Sequence, residues 1–249
     1  MPLTGTRDLS ELFAAAPRVQ SLESERWELP GAQILQLMYE LDDSAMTTLI
    51  PPALHPTIPP TLVFTVTRVP ESPVGAFVLA EARVGSRSGA RPRGLLLRGY
   101  CDSRAAVEQL GARWGYPLFE AACTLEKRYD RIHARVSTPA GAILDMTLLN
   151  PEPISGNDLQ YLASLNLARV VRSGTESPRL VQVDSDYVFR SADRGKPQLD
   201  AFDAEAWLLP GAHLSHAVSA SFAVADVTMP VLRYLVDPAK RPLEAVERL

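Results

Sequence analysis

The chain has 249 residues, of which 46% are apolar and 22% charged, with a formal net charge of −4. This composition is sufficient for a buried core and argues against a nucleic-acid binder. The apolar runs are too short for a membrane span, and Met1–Ser10 lacks the apolar stretch of a secretory signal, so we expect a cytoplasmic protein. Cys101 and Cys123 form no CxxC pair and are expected to be buried free thiols.

The 21 prolines favour short strands over long helices. In the first half, spacing and turn signals predict, in order, a helix at Asp8–Ala15, a strand over most of Trp27–Leu41, a helix at Ala45–Ile50, and strands at Thr61–Val69, Gly75–Val84 and Gly94–Cys101. A helix capped by Asp102 or Ser103 then runs through Leu110. The basic segment Gly85–Arg93 is interpreted as a solvated hairpin loop rather than an anion site.

The second half continues in the same style. It predicts strands at Glu120–Ser137 and Ile143–Leu149, a helix at Ser155–Leu167, and strands at Arg179–Arg190, Asp200–Leu209 and His216–Val227. The helices do not alternate regularly with the strands, which argues against a doubly wound parallel sheet. The fold class expected is mainly β (α+β), as a closed antiparallel β-cone or barrel with an internal pocket and a few short helices. One domain is expected over residues 1–249, with its core at about 27–230.

Common catalytic motifs are missing from the sequence. It contains no GxSxG, P-loop, HExxH or GxGxxG segment. His213 and His216 lie three apart, which places them on opposite faces of a strand, and no metal site is expected there.

Glu81 is the strongest candidate for chemistry. It follows an apolar run, and it shares one face of the predicted strand with Phe77 and Leu79 because side chains alternate along a strand. Two interpretations remain open at this point: an acid that lines a pocket, or a strand end that emerges into water.

The segment Arg113-Trp114-Gly115-Tyr116-Pro117 resembles the tryptophan-glycine-aromatic-proline segment of acetoacetate decarboxylases. Further matches in the same order are Ile50-Pro51-Pro52-Ala53-Leu54, Glu81, Tyr100-Cys101-Asp102, Leu165-Asn166-Leu167 with Ser177-Pro178-Arg179-Leu180-Val181, and Ala225-Asp226-Val227-Thr228-Met229-Pro230. Together they extend from about residue 35 to 235. The resemblance implies a closed β-cone around a pocket, with helices packed outside.

The sequence departs from this family where the family's chemistry takes place. In the decarboxylases two lysines follow the proline, and one of them forms a Schiff base, a case that is a standard example of an activated lysine. Here those positions are Leu118 and Phe119, which cannot form an imine. The other lysines, Lys127, Lys196 and Lys240, are expected at the surface.

The resemblance and its departures leave three hypotheses. The first is an enzyme without an imine, in which Glu81 acts as general acid or base with its pKa raised by apolar burial, while Tyr116, Tyr100 or Arg113 polarises an oxygen. Dehydration, isomerisation, cyclisation and C–C cleavage are all open, and no cofactor or metal is expected. The second is a non-catalytic protein that binds a small molecule. The third, less favoured, is a decarboxylase that uses another amine.

The catalytic residues predicted are Glu81, Tyr116 and Arg113, and the predicted substrate contacts are Phe77, Leu79, Tyr100, Trp114, Leu118 and Phe119. The partner expected is a small-molecule substrate or ligand, with no nucleic acid and no membrane. A homo-oligomer and a role in secondary metabolism are also expected. The sequence names no substrate.

Overall fold

A computed structural model describes residues 3–23, 25–89, 91–172 and 174–249 of the chain. Within these ranges the protein is predominantly β, with few and short helices. The strands are β1 Arg18–Val19, β2 Trp27–Leu41, β3 His55–Pro56, β4 Thr61–Val69, β5 Phe77–Ser88, β6 Arg91–Leu96, β7 Gly99–Cys101, β8 Leu118–Glu120, β9 Ala122–Lys127, β10 Arg131–Thr138, β11 Gly141–Ile154, β12 Ala163–Arg172, β13 Thr175–Val183, β14 Asp186–Phe202, β15 Leu214–Met229, β16 Tyr234–Val236 and β17 Val246–Arg248. The helices are α1 Ser10–Phe13, α2 Arg104–Trp114 and α3 Pro242–Ala245, with single 3₁₀ turns at Asp43–Ala45 and Gly156–Asp158.

The central series of strands is antiparallel, in the order β9, β10, β11, β14, β15, β2, β4, β5. From β5 the pairing continues to β3, β6 and β7, and β6 leads through β12 to β13, β16 and β17. Among the described strands no pairing returns from β9 to β5, so the mainly β fold is confirmed while the sheet is not closed by hydrogen bonds.

Parallel pairing occurs where the chain crosses over. β1 and β6 each pair parallel with β12, and β7 pairs parallel with β8. Antiparallel strands can be joined by a tight turn, whereas parallel neighbours need a longer crossover, and α2 supplies it between β7 and β8. This crossover brings the end of α2 and the residues after it against β5.

Strands β2, β4 and β5 separate two groups of buried side chains because successive residues point to opposite faces. The apolar face of these strands carries Leu35, Leu37, Phe64, Val66, Ala80 and Ala82. The cavity face carries Ile34, Gln36, Thr65, Thr67, Phe77, Leu79, Glu81 and Arg83. The predicted alternation along Phe77, Leu79 and Glu81 is therefore present in the structure.

The predicted helix at Ser155–Leu167 is wrong. The segment holds one 3₁₀ turn and then enters β12 at Ala163. β12 pairs with β6 on one side and β13 on the other, and this pairing on both sides overrides the local helical spacing. The predicted strand Asp200–Leu209 is also wrong in its second half, since β14 ends at Phe202 and turns follow.

Other predicted elements differ in length. Asp8–Ala15 is reduced to α1 and Ala45–Ile50 is not helical apart from the preceding 3₁₀ turn, whereas α2 extends to Trp114. The predicted strand Glu120–Ser137 is interrupted between Lys127 and Arg131. The segment Gly85–Arg93 forms a hairpin, as predicted, but most of it is strand; residue 90 lies outside the described ranges.

Candidate active site

The turn after α2 is built around Gly115, the centre of the segment that resembles the decarboxylases. Gly115 has φ +65°, and its N–H donates to the carbonyl of Gly111 at 3.0 Å, which ends the helix in a left-handed cap. A Cβ at this position would come within 2.7 Å of the Ala168 Cβ. Glycine is therefore required both by conformation and by space, and the tight turn brings Tyr116 to the cavity.

Trp114, predicted to contact substrate, serves a structural purpose instead of lining the cavity. Its Nε1–H donates to the Pro230 carbonyl at 2.8 Å, and its ring packs edge-on against Trp27 at a centroid distance of 5.1 Å. Its own carbonyl accepts a hydrogen bond from Asn166 Nδ2 at 3.0 Å. Three of the segments that resemble the family thus meet at one buried tryptophan.

A cavity of about 50 Å³, lined mostly by buried side chains, lies against the cavity face of β2, β4 and β5. This volume exceeds the roughly 10–15 Å³ needed for one water and suits a few waters or a very small organic group. Its lining is Leu29, Ile34, Gln36, Thr65, Thr67, Val69, Phe77, Leu79, Glu81, Arg83, Leu110, Tyr116, Tyr161, Ser185, Tyr187, Val227 and Met229. Of the predicted site residues, Glu81, Tyr116, Phe77 and Leu79 come together here.

Glu81 forms a bidentate ion pair with Arg83 in the wall of this cavity. Arg83 Nη2 lies 2.5 Å from Glu81 Oε2, and Arg83 Nε lies 3.2 Å from Oε1. The Glu81 side chain is only 3% exposed and the Arg83 side chain 8%. Arg83 Nη1 also donates to the Leu162 carbonyl at 3.1 Å, which fixes the guanidinium plane.

Arg83 was not among the predicted site residues, although the sequence contains a signal for it. Arg83 lies two residues after Glu81, so the alternation that assigned Glu81 to the face of Phe77 and Leu79 assigns Arg83 to the same face. The acid–base role expected of Glu81 assumed apolar surroundings for its carboxylate. That premise is wrong, because a permanently charged guanidinium holds both carboxylate oxygens.

Electrostatics in the cavity keep Arg83 charged and the phenols neutral. Burial by itself lowers the pKa of Arg83, but the Glu81 carboxylate and its hydrogen bonds more than offset this and raise the pKa. Burial raises the pKa of Tyr116, the Glu81 charge raises it further, and Arg83 opposes both. At neutral pH the Tyr116 phenol is therefore protonated and available as a hydrogen-bond donor.

Two buried hydroxyls at the cavity make no hydrogen bond within the described part of the chain. They are Thr65 Oγ1 and the hydroxyl of Tyr161. Burial raises the pKa of Tyr161, so this group too remains a donor. The Tyr161 ring packs edge-on against Tyr187 at 5.0 Å. Buried polar atoms are nearly always satisfied, so unpartnered ones beside a cavity indicate a place for water or ligand.

Arg113 and Phe119 lie away from the cavity lining. The Arg113 guanidinium stacks over the Trp27 ring at 5.2 Å, and its Nε lies 3.4 Å from Gln109 Oε1 on the outer face of α2. Phe119 is 38% exposed and lies under the Arg98 guanidinium at 4.5 Å. The predicted catalytic residue Arg113 and the predicted substrate contact Phe119 therefore do not join Glu81 in the cavity lining.

Tyr100 and Leu118 are buried but differ in position. The Tyr100 hydroxyl donates to the Ala206 carbonyl at 2.5 Å, and Tyr100 belongs to the cluster on the apolar face. Leu118 lies closer to the site. A Cβ at Gly99, between β5 and β8, would meet Leu118 Cδ2 at 2.8 Å and Glu81 Cγ at 3.9 Å, so both side chains extend over this glycine.

None of the three lysines in the sequence lines the cavity. Lys127 pairs with Asp193 at 2.7 Å and lies over the Phe222 ring at 4.7 Å. Lys196 and Lys240 are exposed, and Lys240 lies 3.7 Å from an Asp237 oxygen. These placements agree with the surface positions expected from the sequence.

Within the ranges that the structure describes, no group of three or more His, Cys, Asp and Glu side chains is arranged to hold a metal ion. No helix there is long and apolar enough to cross a membrane. Cys101 and Cys123 are free and buried, and burial raises the pKa of Cys101 to about 11.

Comparison with known proteins establishes the family. The sequence profile described as acetoacetate decarboxylase (ADC) matches residues 13–238. The chain therefore belongs to the acetoacetate decarboxylase family. None of the curated proteins matches it.

Solved structures share the fold at low sequence identity. An acetoacetate decarboxylase from Legionella pneumophila is 18% identical, with a TM-score of 0.75 over 86% of this chain and 88% of that one. The enduracididine biosynthesis enzyme MppR is 13% identical, with a TM-score of 0.69 over 87% and 90%. An acetoacetate decarboxylase-like enzyme from Sphingomonas wittichii is 15% identical, with a TM-score of 0.67 over 85% and 93%.

Proposed function

We propose that this chain is an enzyme of the acetoacetate decarboxylase fold that acts on a small, enolisable carbonyl compound without a lysine imine. The observation that supports the proposal is the cavity itself: it contains a buried Glu81–Arg83 pair and protonated tyrosine hydroxyls, while all three lysines lie elsewhere. A Schiff base requires a neutral, desolvated amine, whereas acid–base catalysis requires a carboxylate and a donor.

In the proposed reaction, Glu81 removes a proton from the carbon next to the substrate carbonyl. The C–H electron pair becomes the new C=C bond, and the carbonyl π electrons move onto oxygen. The Tyr116 hydroxyl stabilises this enolate oxygen by donating a hydrogen bond. If the substrate carries a hydroxyl on the β-carbon, the carbonyl re-forms, the enolate C=C pair becomes the bond between the α- and β-carbons, and the β-carbon–oxygen bond breaks; the departing hydroxide takes the proton from Glu81 and leaves as water. If the substrate has a C=C bond next to the α-carbon, return of the proton to the far carbon of the resulting dienolate gives isomerisation.

Arg83 orients Glu81 and can also contact the substrate. A guanidinium has five N–H groups. Arg83 uses three of them on Glu81 and Leu162, which leaves two for a carboxylate or carbonyl oxygen. One structure of MppR, at a TM-score of 0.66, was determined in complex with pyruvate, which suggests 2-oxo acids as the first compounds to test.

The proposal is tested by deuterium exchange at the α-carbon of pyruvate, 2-oxobutanoate and acetoacetate in D₂O, followed by NMR. The wild type should exchange at least one of these above the protein-free rate, and Glu81→Gln should not. Arg128→Gln is the matched control, because Arg128 is an exposed arginine paired with Glu126 on a distant hairpin. The double variant Glu81→Leu/Arg83→Met, which removes both charges, provides a second inactive protein if Glu81→Gln fails to fold.

A non-catalytic binding protein is the second candidate, and one observation favours it. Both carboxylate oxygens of Glu81 accept hydrogen bonds from Arg83, which leaves fewer lone pairs free to meet a substrate proton. This alternative predicts that the wild type binds a carbonyl compound saturably without exchanging its α-protons. That outcome would contradict the proposal that the chain is an enzyme.

A further inference from the structure

A wide groove of about 900 Å³ lies on the outer side of the cavity wall. Three residues, Tyr161, Ser185 and Tyr187, line both spaces. Ser185 and Tyr187 flank the start of β14, and Tyr161 precedes β12. A ligand whose small end occupied the cavity would therefore extend past these side chains into the groove.

The groove is positively charged in a protein that is acidic as a whole. Its described charged residues are the arginines Arg26, Arg91, Arg93 and Arg233 and the aspartates Asp184 and Asp186, an excess of two positive charges. The chain as a whole carries a net charge of −4. Among the described residues Arg93 is the one groove arginine with an ion pair, to Asp184 at 3.4 Å.

Arg93 has the properties of a fixed anion-binding group. Its side chain is only 11% exposed. Nη1 donates to the Pro92 carbonyl at 3.1 Å, and Nη2 faces Asp184, so two corners of the guanidinium are anchored. Its Nε is buried and has no hydrogen-bond partner within the described ranges, as is also true of the Tyr161 hydroxyl. Arginine is suited to oxyanions because its planar fork matches their geometry.

We infer that this groove binds an oxyanion, either phosphate or carboxylate, at the distal end of the ligand whose carbonyl end enters the cavity. The substrate class of the proposed function is then a carbonyl compound with an anionic tail. This assignment of the substrate rests on the proposed function, whereas the binding of an anion in the groove does not depend on it. From the sequence, the basic segment Gly85–Arg93 was interpreted as a solvated hairpin loop rather than an anion site. In the structure it forms a hairpin, and its last residues line the groove.

The test uses pyrophosphate and citrate as probes in titration calorimetry at low salt. Wild-type protein should bind at least one of them saturably at millimolar concentration or below, more weakly as salt is added. The tighter probe shows whether phosphate or carboxylate is preferred. Neither probe contains an enolisable ketone, so probe binding is independent of the proposed chemistry. If neither probe binds, only the anion site in the groove is contradicted. If no substrate exchanges its α-proton, only the proposed acid–base chemistry is contradicted.

The variants locate the binding. Arg93→Gln/Arg233→Gln should weaken binding by about tenfold or more, the effect of losing a charge-assisted hydrogen bond. The exposed Arg233→Gln alone should weaken it less, and this variant serves if loss of the buried Arg93 disturbs folding. Arg128→Gln should bind as the wild type does. The inference would be overturned if neither probe bound the wild type, or if Arg93→Gln/Arg233→Gln bound the probes with wild-type affinity.

Discussion

On β5, neighbouring residues have opposite environments. Ala80 and Ala82 belong to a cluster of buried hydrophobic side chains, whereas Glu81 and Arg83 form an ion pair beside a cavity. The backbone is the same, and alternation alone separates the two faces. The apolar face stabilises the fold by burying hydrocarbon, while the cavity face keeps polar groups out of water, at a cost in stability that a structural role alone does not require.

The largest effect is expected from breaking the ion pair on the cavity face. Glu81→Gln leaves the Arg83 charge buried without its partner and should lower the free energy of unfolding by about 3–5 kcal/mol. Glu81→Leu/Arg83→Met removes both charges and should recover most of that loss. Urea unfolding of both variants measures the difference. If the double variant is as unstable as the single one, the ion pair itself stabilises the fold, and the cavity face carries no cost in stability relative to the apolar face.

The apolar face is tested on β2, which is separated from β5 by β4. Leu35→Ala on β2 should lower the free energy of unfolding by about 2–5 kcal/mol, because it removes packed methyl groups and leaves a cavity. Exchange activity per folded molecule should remain at the wild-type level, since Leu35 faces away from the cavity. Loss of specific activity in fully folded protein would show that the two faces are not independent.

Thr65 and Val66 are neighbours on β4 that face the two different environments, so exchanging their side-chain types tests both faces. Thr65 carries a buried hydroxyl without a partner among the described residues, and Val66 next to it faces the apolar cluster. Val66→Thr should cost about 1–3 kcal/mol by burying a hydroxyl in hydrocarbon. Thr65→Val should change stability by less than about 1 kcal/mol, or raise it, and weaken ligand binding. Equal losses from the two changes in chemical denaturation would contradict the assignment.

The smallest effect concerns alkaline pH. Burial raises the pKa of Tyr161, so the folded state favours its neutral form, while in the unfolded chain the phenol ionises near its ordinary value of about 10. The resulting stability is fully present below about pH 10 and is lost as pH rises toward the raised pKa. The urea midpoint should therefore fall between about pH 9 and 11, and fall less in Tyr161→Phe. Parallel curves would show that Tyr161 does not contribute.

Sequence patterns predicted the strands that build the site. Thr61–Val69 was placed at its observed bounds, most of Trp27–Leu41 was assigned to a strand, and alternation put Glu81 with Phe77 and Leu79. These predictions succeeded because the alternation of buried and exposed side chains along a strand is visible within a few consecutive residues. The segment Ser155–Leu167 was misassigned because its strand exists only through pairing with β6 and β13, which are distant in sequence.

The candidate site was only partly predictable. Of the predicted residues, Tyr116 and Glu81 line the cavity, whereas Trp114, Tyr100 and Arg113 make their contacts elsewhere in the structure. A motif does not distinguish a residue that shapes a turn from one that lines a pocket. Arg83 could have been found from its spacing, but its bidentate contact with Glu81 depends on rotamers that no sequence pattern specifies.

The most direct test of a lysine-independent cavity measures α-proton exchange and intact mass after borohydride treatment in the presence of acetoacetate. Borohydride reduces an imine to a stable amine, so a Schiff-base enzyme loses activity and gains a stoichiometric adduct. This account predicts unchanged exchange activity after desalting and no added mass on the protein. An adduct on Lys127, Lys196 or Lys240 together with lost exchange would contradict it.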